Sequence, residues 1–282
     1  MLAVSIVKVG SEIEMEPHQL AVRSPGYVFR LEEANMSASI SRSGKLDRTA
    51  EPSPRSLARA VGAFWLLLLV AGVPALVITA RLVVSGDAAA TAANVMTHQL
   101  LFETGFALYL VEMVSQVAVT ALYYLLLRPA GRCVSLVAAF IGLAGAVIKT
   151  FSRLFFIAPL LVLGGDPYLH VFNTQQLQAL ALLLLKINSH GVALAMVFLG
   201  FYYLLQGYLA VRSTFLPKFL GVLTMLAGAS FVCFLYPPLG YHVFLPYGIG
   251  LGLIMAVAWI FWLLVFGVND AQWTAQASAT AT

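Results

Sequence analysis

Long apolar runs separated by short polar breaks organise this chain. The runs cover residues 60–84, 99–127, 133–163, 180–205, 216–235 and 244–266, and each reaches the roughly 18 residues that distinguish a membrane span from a buried core helix. The pattern predicts an all-α fold, an integral membrane bundle of six transmembrane helices. The third run is longer than one straight span needs, so it either tilts or breaks at Pro159, with residues 155–163 lying along the outer surface. Pro237 and Pro238 stop the fifth. Trp259, Trp262 and Trp273 close the last, a residue type that favours membrane interfaces.

Residues 1–56 lack helical periodicity and contain Pro17, Pro25, Pro52 and Pro54. They read as a disordered tail, followed by a membrane domain over 57–270 and a second disordered tail over 271–282. Glu32 and Glu33 have purine-rich codons where a ribosome-binding sequence would precede Met36. That placement predicts translation from Met36, with residues 1–35 untranslated in the cell. The first apolar run begins too late to be a signal peptide and is expected to persist as a span.

Basic residues orient the bundle. Arg48, Arg55 and Arg59, then Arg128 and Arg132, then Arg212 and Lys218 fall on one side, whereas residues 85–98, 164–178 and 237–243 contain no Lys or Arg. The positive-inside rule therefore predicts that both termini are cytoplasmic. Of a net charge of +4, residues 1–59 contribute only +1, because eight Lys and Arg face seven acids there. So mixed a tail is no nucleic-acid-binding arm, and no basic stripe interleaved with aromatics occurs elsewhere. The lipid bilayer is the expected partner. Cys133 and Cys233 fall near opposite ends of their helices, which speaks against a disulfide.

Charge inside the spans carries the candidate chemistry, since a charged residue near a bilayer centre costs about 2.5–3.5 kcal/mol on insertion scales. At about 1.5 Å per residue, Glu112 lies about 24 Å above Arg128, Lys149 about 26 Å above Arg132, and His190 about 24 Å above Gln206. Lys186, Arg153 and Arg81 come slightly further out, with Glu103 and Asp87 at the outer boundary. Charges at this depth pair with one another or face water. The layer predicts an outward-facing polar pocket among spans one to four, lined by Glu112, Lys149, His190, Lys186, Arg153, Glu103, Arg81 and Gln116. Spacing agrees: Glu112, Gln116 and Thr120 share a helical face, as do Lys149 with Arg153 and Lys186 with His190. The plainer reading has Lys186, Arg153 and Arg81 snorkelling to the outer headgroups and Glu103 bonded to Gln99 or His98.

Other chemistries find little footing. His98 and His190 stand on different spans, but a second histidine pair at the other membrane face is missing and charged neighbours flank them, which argues against haem. No two histidines share a helix at the spacing of H-E-x-x-H, no G-x-S-x-G occurs, and Gly86-Asp87 followed by alanines is not a phosphate loop. Neither a metal nor another cofactor is expected. Gly142, Ala146, Gly221, Gly228, Gly248 and Gly252 are expected to permit close helix packing.

Several stretches have a familiar order. Arg81-Leu82 precedes Gly86-Asp87, ATAAN at 90–94 and HQLLF at 98–102, followed by LYYLLLRP at 122–129 and GYLAVRSTFLPKFLGVLTMLAG at 207–228. Over residues 57–273 the chain resembles a family of bacterial multi-pass membrane proteins, the domain of unknown function numbered forty-three eighty-six. The resemblance implies a bacterial inner-membrane location and a compact helical bundle; the family has no assigned reaction, so no catalytic residues carry over from it.

Three functions follow from the residues. The first is binding or transport of a small solute or lipid through the polar pocket, although no inverted repeat or broken helix pair supports transport. The second is an intramembrane enzyme acting on a lipidic or isoprenoid substrate, with Glu112 as proton donor and Tyr109, His190 and Lys186 beside it. Lys149 is an objection, since a neighbouring cation favours the ionised acid. The third is a structural or regulatory membrane protein without chemistry. Enzymatic activity and oligomeric state stay open.

Overall fold

The computed structural model describes residues 53–243 and 247–279. Most of the predicted N-terminal tail, with Met36, lies outside them. Helices are α1 Pro54–Leu82, α2 Ala88–Thr97, α3 Gln99–Leu127, α4 Arg132–Leu163, α5 Thr174–Arg212, α6 Lys218–Val232, α7 Pro237–Val243, α8 Ile249–Phe261 and α9 Asp270–Ala279. Among the described residues there is no strand. Six helices are long and apolar enough to cross a membrane: α1, α3, α4, α5, α6 with its following turn to Leu235, and α8 continued by a π-helical turn to Phe266. Large apolar side chains such as Val70, Leu100, Val114, Phe140, Phe151, Leu161 and Ile254 stand exposed around the bundle. A water-soluble monomer does not present so much apolar surface. The chain is a multi-pass membrane protein.

Local chemistry sets the helix ends and moves several of them from the expected places. Pro54 opens α1 at a position where its missing N–H costs nothing, and Ser53 Oγ accepts from Ser56 N–H. The polar stretch at 85–98, expected as a loop, is mostly α2. Gly86 turns the chain at φ 82°, Asp87 Oδ1 caps Ala90 N–H at 2.9 Å, and the alanine-rich sequence that follows favours helix. Asn173 and Gln176 form a reciprocal capping box that starts α5 before the predicted residue 180. Pro159 does not break α4, which runs unbroken to Leu163. Residues 271–279, expected as disordered tail, form most of α9. Asn269 Oδ1 accepts from Gln272 N–H, Trp273 Nε1 donates to Leu126 O at 2.9 Å, and Gln276 Oε1 accepts from Thr214 N–H at 3.0 Å. The last two bonds tie the C-terminal helix to the end of the bundle that carries Arg128, Arg132 and Arg212, the basic end.

Helix α5 packs most extensively, against α4 on one side and α6 on the other; α1 pairs with α3, and α8 leans on α6 and α1. The α5–α6 crossing is made by glycines spaced seven apart on both helices. A Cβ on Gly207 would lie 2.6 Å from Gly221 O, one on Gly221 would lie 2.6 Å from Gly207 O, and Gly200 and Gly228 stand in the same relation one crossing higher. Gly142 likewise lets Tyr202 approach α4. Gly252, half of the G-x-x-x-G in α8, has only ordinary contacts.

Two apolar clusters fill the interior. The larger, toward the basic end, holds Trp65, Tyr123, Tyr202, Tyr203 and Trp259; the smaller, at the opposite end, holds Ala75, Phe102, Tyr109, Phe156 and Leu185. In the larger cluster Trp259 Nε1 donates to Thr224 Oγ1 at 2.7 Å, both residues fully buried. Trp259→Phe is expected to destabilise the bundle by about 1–3 kcal/mol through the lost bond and the unfilled volume. Thermal unfolding in detergent, compared with wild type, checks this.

A buried ion pair between two apolar clusters

The buried charged residues that interrupt the apolar interior form one compact site. Glu112 projects from α3 and Lys149 from α4, and Lys149 Nζ donates to Glu112 Oε1 at 2.6 Å. On the α1 side Gly72 makes room for the carboxylate, since a Cβ there would lie 3.2 Å from Glu112 Cδ. One turn beyond Lys149, the Arg153 guanidinium lies 3.5 Å above the centre of the Tyr109 ring. Its Nη1 donates to Asn188 Oδ1 on α5 at 3.3 Å. Cation–π contact and amide together replace part of the hydration that a buried arginine gives up. Tyr109 is fixed in turn. Its hydroxyl lies 3.1 Å from Thr79 Oγ1, and because Thr79 already donates to Ala75 O, Tyr109 is the donor.

Burial makes the electrostatics unusual. Glu112 and Lys149 are each 8% exposed and Arg153 5%, so two cations share one carboxylate away from water. A buried pair breaks roughly even against its desolvation cost only when geometry and extra hydrogen bonds are good. The second cation adds a charge that Glu112 cannot also cancel. Among the described residues, Glu112 Oε2 and Arg153 Nε have no hydrogen-bond partner. What the arrangement holds is two buried cations against one buried acid, with Glu112 Oε2 and Arg153 Nε unengaged among the described residues.

The other residues of the expected pocket divide clearly. Gln116, 4% exposed, continues the buried face of α3 one turn below Glu112, with its Nε2 3.5 Å from Thr120 Oγ1. Glu103 is exposed and accepts from Gln99 Nε2 at 2.8 Å. Arg81, Lys186 and His190 are exposed at the surface of the bundle, and His190 Nδ1 bonds to Lys186 O at 2.8 Å on its own helix. Asn188 occupies the inward face of α5 that Lys186 and His190 leave. Thr79, Gly72 and Asn188 carry no charge and were not singled out by sequence. The one available signal was the helical offset, which puts Asn188 on the face opposite two solvated cationic-type side chains.

The arrangement bears on the chemistries considered. Among the described residues no group of three or more His, Cys, Asp or Glu could hold a metal ion.

A protein-family model described as Domain of unknown function (DUF4386) matches residues 60–267. Neither the curated proteins nor the solved structures contain a match to the chain.

Proposed function

Because the chain belongs to the family described as Domain of unknown function (DUF4386), whose description assigns no activity, we propose a function from the site: binding, or carriage, of a small anionic solute or an anionic lipid headgroup. The observation that carries this reading is the imbalance of two buried cations against one buried acid. Arg153 presents the planar fork that suits carboxylate and phosphate oxygens. Lys149 supplies a point charge that Glu112 holds until an anion competes for it. In this reading the protein sits in a bacterial inner membrane with the basic end in the cytoplasm, and the site lies toward the periplasmic half. Since the three charged groups are closed off, a ligand enters only when α3, α4 and α5 separate.

Protein purified in nanodiscs tests it. Native mass spectrometry reports retained anionic lipid such as phosphatidylglycerol, and calorimetric titration with small carboxylates and inorganic phosphate reports free anions. Arg153→Gln is expected to weaken whichever is bound by about tenfold or more, the loss of one charge-assisted hydrogen-bond pair worth about 1.5–3 kcal/mol. Unchanged retention and unchanged titration in Arg153→Gln would defeat the proposal. The closeness of Lys149 to Glu112 favours one other reading, a structural layer that fixes helix register. In that case wild type binds neither class of anion.

A further inference from the structure

At the basic end of the bundle an open cavity of about 610 Å³ lies between the first turn of α1, the link from α5 to α6, and the junction of α8 with α9. Its volume is in the range of ligand sites, roughly 300–1,000 Å³. None of Glu112, Lys149 and Arg153 lines it. The walls differ in kind: Arg55, Thr214, Asn269 and Asp270 form a polar side, Trp262 and Phe266 an aromatic one. The aromatic side is made by the π-helical turn Trp262–Phe266, closed by Gly267 N–H donating to Trp262 O at 2.9 Å, with the two rings 4.7 Å apart. Such turns are rare and recur at functional sites. Gly267 then turns the chain at φ 69°, a conformation that favours glycine. The Arg55 side chain lies against it, since a Cβ on Gly267 would be 3.4 Å from Arg55 Cγ and 3.9 Å from Nε.

Two opposite charges line this cavity without meeting. Arg55 and Asp270 are both exposed, and among the described residues neither takes part in an ion pair. Asp270 has an ordinary reason to stand in the first turn of α9, where a helix favours an acid. Arg55 has none in the first turn of α1, where a helix disfavours a cation, and the basic excess at this end does not require one lying over Gly267. The aromatic side continues onto the lipid-facing surface. There Phe219, Phe261, Val265 and Phe266 are 53–58% exposed, and Phe219 packs edge-on with Trp262 at 5.8 Å. A ligand that fits carries a negative and a positive group together, with apolar chains that leave along the bundle. We propose that the cavity binds the phosphoethanolamine headgroup of a membrane phospholipid, phosphatidylethanolamine, from the leaflet at the basic end. Arg55 donates to the phosphate oxygens through its planar fork, and the Asp270 carboxylate accepts from the ammonium. Trp262 sits between headgroup and chains, as tryptophan does at membrane interfaces. The cavity shares no residue with the buried ion pair, so the two proposals stand or fall separately.

Native mass spectrometry of the full-length protein in mild detergent tests this, with phosphatidylethanolamine, phosphatidylcholine and phosphatidylglycerol of identical chains supplied in equal amounts. Wild type should retain phosphatidylethanolamine several-fold better than phosphatidylcholine, whose methylated ammonium has no N–H to give Asp270. Arg55→Gln should lower phosphatidylethanolamine retention several-fold, and Asp270→Asn should erase its advantage over phosphatidylcholine. Both changes fall on exposed side chains, so an unchanged melting temperature is expected beside the lost retention. Equal retention of the two zwitterionic lipids by wild type overturns the proposal, as does undiminished phosphatidylethanolamine retention in Arg55→Gln. So does a loss in Arg55→Gln confined to phosphatidylglycerol, which would make the cavity a site for anionic lipid. Glycerophosphoethanolamine, the same headgroup without chains, should not displace the lipid at equal concentration; displacement would assign the cavity to a soluble ligand and overturn the lipid. Phosphatidylglycerol retention in Arg153→Gln reads out the ion-pair proposal in the same spectra, and that variant should leave phosphatidylethanolamine unchanged.

Discussion

Glu112→Gln is expected to destabilise the bundle by about 3–5 kcal/mol, the range for removing one member of a buried ion pair, and to do so more than Lys149→Met. The asymmetry follows from the extra cation. Without the carboxylate, Lys149 and Arg153 are left buried with like charge and no acid between them. Without the lysine, Glu112 still feels the Arg153 guanidinium. Combining Glu112→Gln with Lys149→Met is expected to recover much of the loss, since it removes both desolvated charges of the pair together. Denaturant unfolding of the four proteins closes a double-mutant cycle, and the coupling should be large and favourable for a pair at 2.6 Å. Additive losses, or a Lys149→Met more damaging than Glu112→Gln, would contradict the charge arrangement.

Gly207→Val and Gly221→Val should each abolish the α5–α6 crossing. Overpacking commonly costs about 1–3 kcal/mol when neighbouring side chains can yield. Here the obstruction is a carbonyl oxygen of the opposing backbone, 2.6 Å from where the first carbon would stand. The helices must separate, which also dislodges Tyr203 from its edge-on contact with Phe231 at 5.5 Å. The expected outcome is loss of a monodisperse peak on size exclusion, with a strongly lowered melting temperature for any protein recovered. Gly252→Ala is the control. It meets nothing closer than 3.9 Å and should behave as wild type.

The contrast between those glycines shows what sequence could and could not supply. Gly221 and Gly228 were legible as small residues in an apolar helix, but their partners Gly200 and Gly207 were not, because the pairing depends on the angle and register at which α5 meets α6. The six spans were legible because their length and apolarity are dictated by the bilayer itself. Helix α2 and the C-terminal helix were not, since each depends on a cap and on anchoring bonds, from α2 to Val84 and Leu82 and from the C-terminal helix to the distant Leu126 and Thr214. At the charged layer, depth along each helix could be counted and placed Glu112 and Lys149 at one height. Rotation about each axis could not. It turned Lys186 and His190 outward and brought the uncharged Thr79 and Asn188 in.

The turn Arg128–Ala130 that joins α3 to α4 also bears on how the chain is made. Glu112 lies on one arm and Lys149 and Arg153 on the other, so either helix delivered alone to lipid would carry ionised groups with nothing to offset them, at about 2.5–3.5 kcal/mol each. Released together as a hairpin, with only the four residues 128–131 between them, the arms neutralise part of each other's charge before they leave the insertion machinery. Biogenesis of this protein therefore favours waiting for α4 to emerge from the ribosome before α3 is let go.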